Sequence, residues 1–75
     1  MEIMQVHHML TDCWRLYKEY YSNELTDREF EQVYEEAGIL SEKYENNSFA
    51  NAVIVAVVNE LGEIWKRKHE SNTGR

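Results

Sequence analysis

The stretch Ala52-Val53-Ile54-Val55-Ala56-Val57-Val58 decides how this chain folds. Its seven apolar residues are rich in β-branched types, which fit the pleated surface of a strand. As a strand it would need a partner, and no other segment of the 75 residues alternates polar and apolar with period two. As a helix it continues in phase, because Ile54 and Val57 lead on to Leu61, Ile64 and Trp65 at helical spacing. Lys66, Arg67, Lys68 and His69 then place positive charge where a helix dipole is negative. The spacing predicts a helix over residues 49–70, capped by Ser48, with a disordered tail over 71–75.

Upstream, Thr26 stands three residues before Glu29, the spacing of a capping box in which each side chain bonds the other's backbone N–H. Leu25 and Phe30 hold the flanking positions of a hydrophobic staple, and Asp27 and Glu29 put negative charge at the positive end of the dipole. A helix over 27–45 follows, with the stripe Phe30, Val33, Ala37, Leu40 and Tyr44 and with Tyr34 and Ile39 off its edges. Gly38 within it either permits a close helix contact or is simply tolerated. Asn46-Asn47 is its expected stop, since Asn accepts the left-handed conformation.

Residues 2–22 read as a further helix that ends where Ser22-Asn23-Glu24 breaks the pattern. Ile3, Val6, Leu10, Cys13, Tyr17 and Tyr20 step by three and four along one stripe, which Met9, Leu16, Trp14 and Tyr21 broaden. So broad a stripe suits a helix with two neighbours. The fold class is therefore all-α: one domain over 1–70, three helices, sequential helices antiparallel across short loops. Trp14, Tyr17, Tyr20 and Tyr21 are expected at one end with Leu25, Phe30, Ile64 and Trp65. Ile3, Val6, Leu40, Tyr44 and Phe49 are expected at the other.

A helix apolar on all sides is normally buried on all sides, and three helices cover only part of each. The run 52–58 thus points to a homodimer completed through the third helix, with Ala52, Val55, Ala56 and Val58 as the self-association residues.

Absences bound the function. There is no Pro and a single Cys, Cys13, so no internal disulfide forms; with no secretory pattern and no uninterrupted apolar run of about 18 residues, the expected setting is the cytoplasm, without a membrane. The net charge of −6 is concentrated in residues 24–46, which carry eight acids against two bases. That sign disfavours direct nucleic-acid binding and suits a basic protein partner. Glu31, Glu35, Glu42 and Glu45 oppose the apolar stripe of their helix, as the outer face of a solvated helix or as a decoy for a basic groove. Lys66-Arg67-Lys68 is accounted for by the helix dipole.

Neither a metal, a cofactor nor a catalytic group is expected. His7 and His8 are adjacent and diverge by about 100° on a helix, and no Cys-x-x-Cys, His-x-x-x-His or Glu-x-x-His spacing is present. Cys13 lies on an apolar face without a neighbouring base. No phosphate-binding loop or hydrolase elbow occurs. Trp14 and Tyr21, at the stripe margin, are candidate contact aromatics.

The run from Trp14 through Tyr21, Leu25 to Phe30, Ser41 to Tyr44, Phe49-Ala50 and Asn59-Glu60-Leu61 resembles small helical proteins of phages and integrative elements in Gram-positive bacteria. That group has no agreed activity. The resemblance implies a mobile-element origin, and small acidic proteins of such elements include inhibitors of host defence systems. Three functional expectations follow: a self-associating, non-enzymatic interaction module; an acidic inhibitor of a basic host nuclease or regulator; and a helical subunit of a larger hetero-complex.

Overall fold

A computed structural model describes residues 1–21 and 25–71, with the side chains of the last helix through Arg67. Three helices follow one another: α1 (Ile3–Tyr20), α2 (Asp27–Lys43) and α3 (Ser48–Ser71). No strand occurs among the described residues, so the β-branched run is helical. Ser71 closes α3, while the rest of the expected tail, 72–75, and the expected break at 22–24 lie outside the described residues.

Each helix start has a local cause. In α1 the Gln5 side chain accepts from the Glu2 N–H at 3.0 Å. In α2 the capping box forms as read: Thr26 Oγ1 accepts from the Glu29 N–H at 3.1 Å, and Glu29 Oε1 accepts from the Thr26 N–H at 3.0 Å. For α3 the expected cap is corrected from Ser48 to Asn47, whose Oδ1 accepts from the N–H groups of Phe49 and Ala50 at 2.9 and 3.1 Å. Ser48 is already helical. Ahead of that cap, α2 stops at Lys43, two residues early, and the left-handed turn falls on Glu45 and Asn46, both with φ 57°.

Polar bonds between helices fix their directions. Mid-helix Asp12 of α1 takes the Lys43 ammonium at 2.7 Å and the Tyr44 hydroxyl at 2.6 Å, both from the far end of α2. The Tyr20 hydroxyl, at the end of α1, donates to Glu36 in the middle of α2. These pairings require α1 and α2 to be antiparallel. Likewise the Trp65 indole N–H donates to Asp27 at 2.7 Å, and Ser41 Oγ donates to Asn51 Oδ1 at 2.7 Å, which makes α2 and α3 antiparallel. The unit is a rod of 49 × 18 × 17 Å.

The core takes one row from each helix. Met9, Cys13, Leu16 and Tyr20 come from α1, Val33 and Ala37 from α2, and Ala50, Ile54, Val58 and Leu61 from α3, with Leu25 closing one end. The α2 stripe is as read, with Phe30, Leu40 and Tyr44 packed against the core. The α1 stripe is corrected. Its inward row is Val6, Met9, Cys13, Leu16 and Tyr20, while Ile3 and Leu10 are exposed. Both rows step by three and four and share Val6, Cys13 and Tyr20; the bonds of Asp12 to α2 select Met9 and Leu16 over Leu10 and Tyr17 as the inward pair. Phe30 stacks on Trp65 at 5.4 Å, and the backbone of Gly62 makes room for its ring, since a Cβ there would lie 3.2 Å from Phe30 Cζ. At the opposite end the expected cluster is incomplete, because Ile3 and Phe49 stay in solvent.

Gly38 makes no close contact, as a Cβ added there meets nothing within 4 Å. Gly38→Ala should therefore stabilise the chain by up to about 1 kcal/mol, read as a rise in the urea midpoint at constant slope. The clamps set the pH range of stability. Burial pushes the Asp12 carboxyl up, but its bonds from Lys43 and Tyr44 outweigh this and hold it below its ordinary value. Its contribution is present above about pH 4 and lost as pH falls through the lowered value. The bond to Glu36 raises the Tyr20 hydroxyl, burial raises that of Tyr44, and the bond to Asp12 raises Lys43. Their contributions are present below about pH 10 and lost on further alkalinisation. Urea titrations across pH should give a plateau falling at both ends, with the alkaline fall reduced in Tyr20→Phe.

Candidate interaction surface

Position along α1 determines which neighbour a side chain meets. Asp12, one residue before the core residue Cys13, reaches α2. The groove between α1 and α2, about 340 Å³, is lined on the α1 side by Asp12, Arg15, Leu16 and Glu19. Residues preceding the core row thus face α2. Residues following it are turned about 100° the other way, onto the flank of α1 away from α2. Those residues are His7 after Val6, Leu10 after Met9, Trp14 after Cys13, Tyr17 after Leu16 and Tyr21 after Tyr20.

This outer stripe is apolar and open. Ile3 is 80% exposed, Leu10 45%, Trp14 57% and Tyr21 59%, with Tyr17 half-buried. Ring contacts link Trp14 to Tyr17 at 6.4 Å and Tyr17 to Tyr21 at 5.4 Å. Trp14 and Tyr21 are thus exposed, at the stripe margin where the sequence places them. The sequence reading missed the rest of the stripe by assigning Ile3, Leu10 and Tyr17 to the core. The recoverable signal was that Val6, Met9, Cys13, Leu16 and Tyr20 form an equally regular row, with Met9 and Leu16 in place of Leu10 and Tyr17.

On α3 the four expected self-association residues divide. Ala52, Val55 and Ala56 are exposed, and Val58 is in the core of its own chain, a correction that follows from its position between Ile54 and Leu61 on the inward row. Val55 lies on the α2 side of α3: like Asn51, which bonds Ser41, and Gly62, which abuts Phe30, it follows a core residue. The open apolar strip of α3, with Phe49 at its start, gives way to Asn59, Glu60 and Glu63. By length and composition alone, Ser48–Arg67 is apolar enough to cross a membrane, with a mean hydropathy of 1.2.

The acidic residues separate as well. Glu31, Glu35 and Glu42 are exposed on one outer face of α2, and none of them forms an ion pair among the described residues. Glu45 lies beyond the helix in the left-handed turn and leaves that row, because α2 ends at Lys43.

Chemistry-bearing groups do not converge. Among the described residues no three His, Cys, Asp or Glu side chains could share a metal ion. The His7 and His8 rings stand 6.1 Å apart and tilted by 57°. Cys13 is buried, with its Sγ 3.8 Å from Met9 Sδ, and burial pushes its thiol up, away from the nucleophilic thiolate. What the surface offers is apolar area on α1 and α3 and negative charge on α2. No family model, no curated protein and no solved structure matches this chain.

Proposed function

We propose that this chain is a non-enzymatic protein–protein interaction module that self-associates through the apolar surface its three helices leave open. The open apolar side chains available for it lie in two strips, Ile3, Leu10, Trp14 and Tyr21 on α1 and Phe49, Ala52, Val55 and Ala56 on α3. The observation that carries this reading is the exposure of large apolar side chains along α1, and of Phe49 and Val55 on α3, on a unit this small. Contiguous apolar area beyond a few hundred Å² marks an interaction site. A 75-residue unit with a single-row core also gains from association, since small domains have little core of their own.

A second reading is favoured by the three carboxylates of Glu31, Glu35 and Glu42 on one face of α2. In it the chain is an acidic inhibitor, of mobile-element origin, that occupies a basic surface on a host nuclease or regulator. Such a complex would form by steering and charge complementarity and weaken with salt. In a third reading the apolar stripes meet a different chain as part of a hetero-complex.

Light scattering behind size exclusion separates the first two. The module should elute at twice the 9.0 kDa chain mass, equally at low and high salt. The triple variant Glu31→Lys, Glu35→Lys, Glu42→Lys should leave that mass unchanged. A 9.0 kDa species that binds basic proteins only at low salt, and loses this in the triple variant, would favour the inhibitor instead.

A further inference from the structure

Of the two open apolar strips, the one on α1 is built to meet itself. We propose that a second copy of this chain covers the outer stripe of α1, the two α1 helices packing antiparallel across a two-fold axis. This rests on the self-association reading and names its seam.

The stripe Ile3, His7, Leu10, Trp14, Tyr17 and Tyr21 steps by four and three along the whole of α1. That is the spacing of a helix–helix seam, and α1 carries it in addition to the row already spent on its own core. No Lys, Arg, Asp or Glu interrupts it. Lys18 stands at its edge, with the ammonium 5.8 Å from the Trp14 ring, where the stem can cover apolar surface and the charge stays in water.

Side-chain size along the stripe selects the partner and its direction. Ile3, His7 and Leu10 occupy the first half, and the larger Trp14, Tyr17 and Tyr21 occupy the second. A two-fold interface requires that if one residue meets another, the reverse pair also forms. Centred between Leu10 and Trp14, an antiparallel pair sets Ile3 opposite Tyr21, His7 opposite Tyr17 and Leu10 opposite Trp14. Every layer then joins a smaller side chain to an aromatic one, and the seam has even width. A parallel pair would stack Trp14 on Trp14 and Tyr21 on Tyr21, crowding one end and leaving the other open. A foreign helix would need no such graded self-match.

The stripe presents on the order of 600 Å² per copy, below the about 800 Å² per partner of a standard stable interface, so two copies together reach the lower end of the range for specific interfaces, about 1,200 Å². Phe49, at the start of α3, is half exposed and adds to the total where it is covered.

The test combines solution mass with the register of cross-linking. The wild-type chain should scatter at twice 9.0 kDa, and Leu10→Glu and Trp14→Glu should each return it to 9.0 kDa. Both side chains are already half in water, so these variants should keep the far-ultraviolet circular dichroism of a folded helical chain. Val55→Lys, on the α2 side of α3, should leave the doubled mass in place. In a Cys13→Ala background, Ile3→Cys chains mixed with Tyr21→Cys chains should join through a short bis-maleimide, and neither should join to itself. The two positions are about 27 Å apart along the helix, so the discrimination is wide. A doubled mass in which Ile3→Cys links to itself makes the pair parallel. A doubled mass lost in Val55→Lys but kept in Leu10→Glu puts the seam on α3. Either result overturns this proposal and leaves self-association standing. A mass of 9.0 kDa at every concentration overturns both, and gives the stripe to a different chain.

Discussion

The interior of this protein is one side chain wide, and most of its other features follow from that constraint. α2 gives it only Val33 and Ala37 as buried residues, which is little apolar area for a helix of 17 residues. What α2 lacks in burial it recovers at its edges. Tyr20 to Glu36 and Lys43 with Tyr44 to Asp12 tie one edge to α1, while Trp65 to Asp27 and Ser41 to Asn51 tie the other to α3. These bonds flank the core, where charged partners keep some contact with water and avoid the full desolvation cost of a buried pair. Their direction also matters, since a polar bond is satisfied in one register only. They specify the antiparallel arrangement more sharply than the small side chains of Val33 and Ala37.

Much of this was legible in the chain. The α2 start was written in Thr26 and Glu29, and its stripe in the spacing of Phe30, Val33, Ala37 and Leu40, because a capping box and a single clean apolar row leave one reading. The run 52–58 was legible as helix only through its phase with Leu61 and Ile64; β-branched propensity pointed the other way and lost to tertiary packing. Where two rows were equally regular, the sequence was silent. On α1 Val6, Cys13 and Tyr20 are joined with equal regularity by Leu10 and Tyr17 or by Met9 and Leu16, and the decision depends on where Asp12 finds partners in α2. Those partners lie 31 and 32 residues away, beyond the reach of any local pattern.

The same ambiguity explains the division on α3. A run apolar at every position has no polar side to show which residues turn outward. The run alone therefore groups Val58 with Val55, although extending the row from Leu61 and Ile64 back to Ile54 carries Val58 inward and leaves Val55 outside. The acidic face of α2 was legible as far as Glu42. It ended early because the left-handed turn fell on Glu45 and Asn46 instead of waiting for the two Asn residues.

Cys13 carries a practical consequence. It is the only thiol in the chain and sits in the middle of the α1 inward row, 2% exposed and against Met9. A reagent reaches it when an opening of the bundle uncovers the inward row of α1. The rate at which a thiol probe labels the protein in native buffer is therefore a clock for the opening that uncovers α1. Anything that closes over α1 slows that clock without touching the sulfur.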